Sequence, residues 1–443
     1  MSRINRWRAA ALLAVLAAAS VANGQDRFEL RFARDIPYPG GRVTVDHSFG
    51  KLVLKAHSAS RVDVRAVIRA SDPDFGRRIR VTAEKSGDGV RVRSEYPQRP
   101  SRTSGDFSFS VDFEILIPAG APLTVRNRFG NVDVSGLRAP GEIVNAHGSI
   151  RLRDTRAAQV VENSFGSIEV SESEGDTSVK NANGSVTVRE IGGNLSVTNR
   201  FGSVTAREIE GNASVRNANG SVELREVNGS ATVVNAFASV VVVGVAGSAD
   251  ITNANGRVDV RDVNGNASVK TSFSTLSAKD INGNLTVGAQ NTRVDVVDVG
   301  GAATINTTFG AVDVKDVGGA VAVVNANGSV KLNDVGSDAR VRTSFASAFL
   351  NDVRGAIDVQ NQNGAIAVSG VTGGPCRPIS LRTSFSSIKL GLPSTASYAV
   401  TARTSFGRIN SAFPITTSTI GGETLIGTIG GGNCKLELTN ANG

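Results

Sequence analysis

The 443-residue chain has one tryptophan, one methionine, three histidines and two cysteines. His47, His57 and His147 have no nucleophile or carboxylate constellation around them in the sequence, so each is expected at the surface or in a turn. Cys376 and Cys434 lie far apart with no histidine near either, which excludes the usual spacing of a zinc site. An even count favours one Cys376–Cys434 disulfide if the chain is exported. No stretch holds a helical period with caps, so a helical bundle is excluded. Beyond the first residues, no segment is apolar enough to span a membrane. No cofactor motif and no metal-ligand set is present.

The N-terminus differs in kind. Arg3, Arg6 and Arg8 precede an aliphatic stretch, Ala9 to Ala22, and Ala22-Asn23-Gly24 supplies the small residues of a cleavage site. Residues 1–24 therefore read as a signal peptide, with export to the periplasm, cell surface or medium. Removing those three arginines lowers the formal charge from +8 to +5. The remaining bases are scattered among acids, which argues against a nucleic-acid partner.

A repeat fills most of the rest. Asn127-Arg128-Phe129-Gly130, Asn145-Ala146-His147-Gly148 and Asn163-Ser164-Phe165-Gly166 begin a series of 14 tetrapeptides at a strict step of 18 that ends at Asn361. Within a unit, Ser185-Val186-Thr187-Val188 and Leu195-Ser196-Val197-Thr198 alternate polar and apolar residues, as half-buried strands do. Asn and Gly fill the turns, where they tolerate positive φ. The few inward apolar side chains of one unit cannot offset the entropy of ordering 18 backbones. Each unit must therefore stack on its neighbours. The expected fold is all-β, a β-solenoid, with a right-handed parallel β-helix as the favoured form.

The third tetrapeptide residue alternates. Phe129, Phe165, Phe201, Phe237, Phe273, Phe309 and Phe345 form one set. Asn183, Asn219, Asn255, Asn291, Asn327 and Asn363, headed by His147, form the other. The units thus pair into a 36-residue repeat. A 36-residue coil would stack Phe on Phe and Asn on Asn, whereas an 18-residue coil would interleave them. In the Phe set the first residue is Asn at 127, 163, 199 and 235, then Thr at 271, 307 and 343. That single change along the 36-residue series favours the longer coil. On this reading the Phe set is a structural stack and the Asn set a structural amide ladder.

Residues 25–126 lack the strict step but carry strand patterns from Arg42 to Ile117, and are expected to cap the open end of the stack. His47-Ser48-Phe49-Gly50 is a lone Phe-type turn there, and Glu95 to Asp106 reads as an exposed loop. The regular array is assigned to 127–370. Residues 371–443, where the step lengthens, form irregular last coils and a cap.

Several C-terminal motifs come in a recognisable order: Leu390-Gly391-Leu392-Pro393, Thr404-Ser405-Phe406-Gly407-Arg408-Ile409, Ile429-Gly430-Gly431-Gly432 and Leu436-Glu437-Leu438-Thr439-Asn440-Ala441-Asn442-Gly443. Together with Ile117-Pro118-Ala119-Gly120, they make residues 42–443 resemble a bacterial adhesin-like domain family of unknown function. The resemblance implies an exported or envelope-associated β-helical protein. The family supplies no catalytic residue to carry over.

One acidic column also keeps the 18-residue step, with Asp154, Glu172, Glu190, Glu208, Glu226, Asp262, Asp280, Asp298, Asp316, Asp334 and Asp352 interrupted at Gly244. One carboxylate per unit is too few for calcium, which takes six to eight oxygens, roughly. The column reads as turn acids beside solvated bases such as Arg189, Arg207, Arg225, Arg261, Lys279 and Lys315. The expected function is non-catalytic: an adhesin or an envelope structural or binding protein whose repetitive surface meets a glycan or another envelope protein. The alternative is a β-helical polysaccharide lyase or hydrolase.

Overall fold

A computed structural model describes residues 28–98, 107–372, 376–421 and 423–442. The expected signal peptide and most of the loop at 95–106 fall outside these residues. The chain forms two compact units, one ending at Gly184 and the other beginning at Ser185. The boundary falls within the regular array. Both units are parallel β-solenoids.

In the second unit one coil reads as follows. Leu195–Phe201 is a strand of one sheet, a corner follows at Gly202-Ser203, and Val204–Ile209 is a strand of the other sheet. The next coil opens at Ala213. We call the first sheet the Asn sheet and the second the acid sheet. Alternation sends Leu195, Val197 and Asn199 inward from one, and Val204, Ala206 and Ile209 inward from the other; all are buried. Along the array up to Ile366–Ser369, strands pair in parallel at a step of 18; the pairings onto Ile379–Thr383 and Ile388–Leu390 step by 22. Asn199 faces Asn217 and Phe201 faces Asn219, and Asn219 in turn faces Phe237.

This corrects the 36-residue coil. The coil is 18 residues, so the expected separate Phe stack and Asn ladder merge into one alternating column. The physical reason lies in the core. Leu195, Val197 and Asn199 have counterparts of the same kind in Ala213, Val215 and Asn217, so nothing inside distinguishes the two halves. The alternation concerns only a side chain at the outer corner.

The first unit has the same two sheets, through Val132–Ser135, Ile150–Thr155 and Ile168–Ser173 on one side and Leu123–Phe129, Gly141–His147, Gln159–Phe165 and Thr177–Asn183 on the other. Its N-terminal end is antiparallel. Phe28–Pro37 pairs with Arg61–Ala70, which pairs with Phe109–Pro118; Arg80–Ser86 pairs with Gly89–Glu95. The strand Phe28–Pro37 and the short helix Pro73–Arg78 carry no repeat signal and were not expected. Val43–Asp46 aligns with Leu123–Phe129 and Leu52–His57 with Val132–Ser135. The lone turn at Phe49 thus lies directly on Phe129, with parallel rings 5.0 Å apart.

At the C-terminal end of the second unit, strand order departs from chain order. The strand Cys434–Asn440 enters between Ile379–Thr383 and Tyr398–Thr404, parallel to both. A hairpin of Thr416–Gly421 and Thr424–Ile429 then pairs antiparallel with Tyr398–Thr404. Cys376 and Cys434 form the expected disulfide, with Cα atoms 5.0 Å apart.

Candidate functional site

Three columns of repeated residues give the chain its chemistry. The first is the buried ladder at the first tetrapeptide position. Asn217 Nδ2 donates to the carbonyls of Gly202 (3.2 Å) and Gly220 (2.9 Å), and Asn253 Nδ2 donates to those of Ala238 and Gly256, both at 3.0 Å. Asn217 and Asn253 thus clamp their own corner to the preceding one, while Asn235 bonds carbonyls of its own corner and Asn163 and Asn325 bond that of the preceding corner. The buried amide ladder is therefore Asn127, Asn145, Asn163 and their successors, not the third-position set expected from sequence. Asn183 and Asn219 are only half-buried and donate across the coil to the Ser164 and Arg200 carbonyls. At 271, 307, 343, 383 and 404 the ladder residue is Thr, which is shorter. Among these, the hydroxyls of Thr271, Thr343 and Thr404 are buried without a partner.

The second column is the outer corner. Phe129 and His147 stack at 4.7 Å with 4° between planes, and His147 and Phe165 at 4.8 Å with 5°. Rings stacked this way turn their faces to each other and their edges outward. A sugar lying flat on a ring face there would have to displace a neighbouring ring. His147 takes the place of Asn in this alternation.

The third column is acidic. Asp154, Glu172, Glu190, Glu208, Glu226, Asp262, Asp280, Asp298, Asp316, Asp334 and Asp352 all have φ between 52° and 60°. Each sits as a left-handed residue inside a strand and shifts the alternation by one, so that the residue after it turns in, as Ile191 and Ile209 do. Gly136, Gly244 and Gly370 occupy the same step with φ of 81°, 73° and 66°. The glycine at 244 is thus no interruption; it is the residue that such a backbone accepts most easily. The neighbouring bases are not simple partners of the column. Lys315 does reach Asp316 at 3.3 Å. Arg225 and Arg261 pair instead with Glu223 and Asp259, because residues two apart share a strand face. Among the described residues no three His, Cys, Asp or Glu side chains are placed to hold a metal ion.

The histidines do not act together. His57 Nε2 contacts the Arg61 carbonyl at 2.8 Å, and His147 lies in the stack. His47 corrects the surface expectation. It is buried, 2.9 Å from Ser94 Oγ through Nδ1 and edge-on to the Phe113 ring at 4.9 Å. Its backbone N–H donates to the Arg126 carbonyl, so it holds the ladder place that Asn127 holds one coil on. Burial pushes its pKa down to about 4. Nearby Tyr96 is pushed up to about 12, also by burial.

Two parallel sheets, a buried polar ladder and corner columns define a two-sheeted β-solenoid as the class of protein. Comparison with known proteins adds little to that. No family model matches the chain, and no curated protein does. Among solved structures, one described as a putative cell adhesion protein from Clostridium sporogenes matches with a TM-score of 0.26 and 9% identity, over 46% of this chain and 97% of that one. A similarity that distant gives no support to either fold or function. The likeness to the adhesin-like family therefore stays a resemblance.

Proposed function

We propose that this chain is a non-catalytic exported β-solenoid that works as an adhesin or as a structural or binding protein of the cell envelope. One observation carries the reading: in each unit, equivalent side chains recur at every strand of a continuous parallel sheet. That builds rows suited to a repetitive ligand, whereas a reaction needs a local break in the pattern that gathers acid, base and nucleophile. The Cys376–Cys434 bond supports an oxidising compartment, in keeping with the signal-peptide reading of residues 1–24. The ligand is a glycan or an envelope protein.

Purified mature protein on a glycan array, together with crosslinking in the native envelope, tests this reading. Retention of a defined glycan or envelope protein without release of reducing sugar is expected. Polysaccharide turnover that disappears on changing a single carboxylate would replace the proposal with the lyase or hydrolase alternative.

A further inference from the structure

The outer face of the Asn sheet changes character toward the C-terminal end of the second unit. A groove of about 970 Å³ runs across the strands there, lined by arginine, threonine, serine, asparagine and glutamine. A second groove of about 590 Å³, reaching back to Lys270, shares Thr307, Thr308 and Val324 with it. The lining residues carry four cations, Lys270, Arg342, Arg382 and Arg403, against one carboxylate, Glu423.

Three of those cations are regularly spaced. Across neighbouring strands the register places Arg342 beside Gln360, Gln360 beside Arg382, Arg382 beside Thr439, and Thr439 beside Arg403. An arginine therefore stands on every second strand, roughly 9.5 Å apart at the usual strand spacing. This regularity exists because the strand Cys434–Asn440 enters between its two neighbours; without it Arg382 and Arg403 would be adjacent. Asp358 holds Arg342 at 2.7 Å and Glu437 lies 3.6 Å from Arg382, which orients those two guanidinium groups. Arg340 and Lys435 flank the same two carboxylates. Arg403 forms no ion pair among the described residues.

We infer that this row binds a linear acidic polysaccharide whose carboxylates fall on alternate sugars. The groove is long and open across the strands, as an extended chain requires. Its charges recur at a disaccharide step, and between them Gln360 and Thr439 offer neutral hydrogen-bonding groups where a neutral sugar would lie. Guanidinium groups suit bidentate carboxylate recognition. No aromatic residue lines either groove, which disfavours single-stranded nucleic acid, a ligand that relies on base stacking. The inference rests on the surface-binding reading above and names its site and ligand class.

The test measures binding of the full mature chain to hyaluronan, to carboxyl-reduced hyaluronan and to anionic phospholipid vesicles at low and physiological salt. Salt-sensitive binding to hyaluronan alone is expected. Arg403→Gln should weaken it about fivefold and the triple change R342Q/R382Q/R403Q about a hundredfold, with an unchanged thermal melt. The single variant and the reduced polymer keep the test decisive should the triple variant fold poorly. Equal binding to the reduced polymer or to vesicles, or hyaluronan binding indifferent to Arg403→Gln, overturns the inference. If hyaluronan fails while the glycan array or envelope crosslinking still yields a partner, the row is wrong and the surface-binding reading stands. If all of them fail, that reading goes too.

Discussion

Within the second unit, the coils around Asn199, Asn217, Asn235 and Asn253 differ from those around Thr271, Thr307, Thr343, Thr383 and Thr404. The inward apolar pattern is the same in both, and the 18-residue register is shared as far as Thr343. What changes is the corner. Asn217 and Asn253 donate to carbonyls of their own corner and the one before, and Asn199 and Asn235 donate to the carbonyls of Phe201 and Phe237, which stay at 45% and 53% exposure. Threonine cannot span both corners. At Thr271 and Thr343 the strands end early, at Ser272 and Thr343, and Phe273 and Phe345 swing out to 64% and 62% exposure, whereas the strand through Thr307 runs on to Phe309 at 51%. The difference teaches that the core sets the coil while the ladder side chain sets the surface. The grooves lie where threonine enters the ladder among residues such as Asn325 and Asn361.

The largest expected effect falls at the threonine end. Cys434→Ser removes a bond closing a loop of about 60 residues, which the chain-entropy model values at about 4 kcal/mol. Hydrogen exchange should show the loss in the last coils, with the Asn-cornered coils still protected. Uniform loss of protection would show that the two regions are not separable. Next comes His47, which holds the ladder place beside Asn127 in the first unit. Its folded pKa of about 4 lies below the ordinary 6.5, so the unfolded chain binds the proton first. The stability this group confers is full above pH 6.5 and falls away as pH drops toward 4, by about 3 kcal/mol. Denaturant titrations of the wild type and His47→Asn across that window measure it, and the variant should lose the dependence.

Asn217→Ala should cost about 2 kcal/mol, since two half-buried carbonyls lose their donor. Thr343→Ala should cost clearly less, because its hydroxyl has no partner to lose. Equal costs would abolish the distinction between the two corner types. Asp280→Val forces a β-branched residue into a left-handed position and should destabilise by about 1–2 kcal/mol, measured by chemical denaturation. Gly244→Asp should be nearly neutral, because its neighbours in the column already hold that conformation with a side chain. The smallest effect is a gain. Thr343→Asn should restore the clamp for about 1 kcal/mol and draw Phe345 back toward the wall, which the solvent accessibility of its ring would report.

The fold class was legible because the 18-residue step is unbroken and the strands alternate cleanly. The pairing of Cys376 with Cys434 was legible from their number alone. The coil length was not, because the Phe/Asn alternation is a surface property that mimics a longer period. Nor was the ladder. The alternation through Leu195 and Val197 already puts Asn199 on the inward face, but the third-position Asn series, a second set of amides at the same spacing, drew the assignment away from it. The left-handed column had left a signal in Gly136, Gly244 and Gly370, glycines at the one step otherwise held by acids. The arginine row had left none. Arg342, Arg382 and Arg403 fall at irregular intervals in sequence and become evenly spaced only when the last strand enters between two earlier ones.

The central claim is that neighbours along each sheet are 18 residues apart, and paired cysteines test it most directly. In a Cys-free background, Asn219→Cys with Phe237→Cys joins adjacent strands, roughly 4.8 Å apart and within disulfide reach. Phe201→Cys with Phe237→Cys joins strands two apart, beyond that reach. The account predicts that mild oxidation crosslinks the first pair and leaves the second reduced; crosslinking of the second pair but not the first would contradict it.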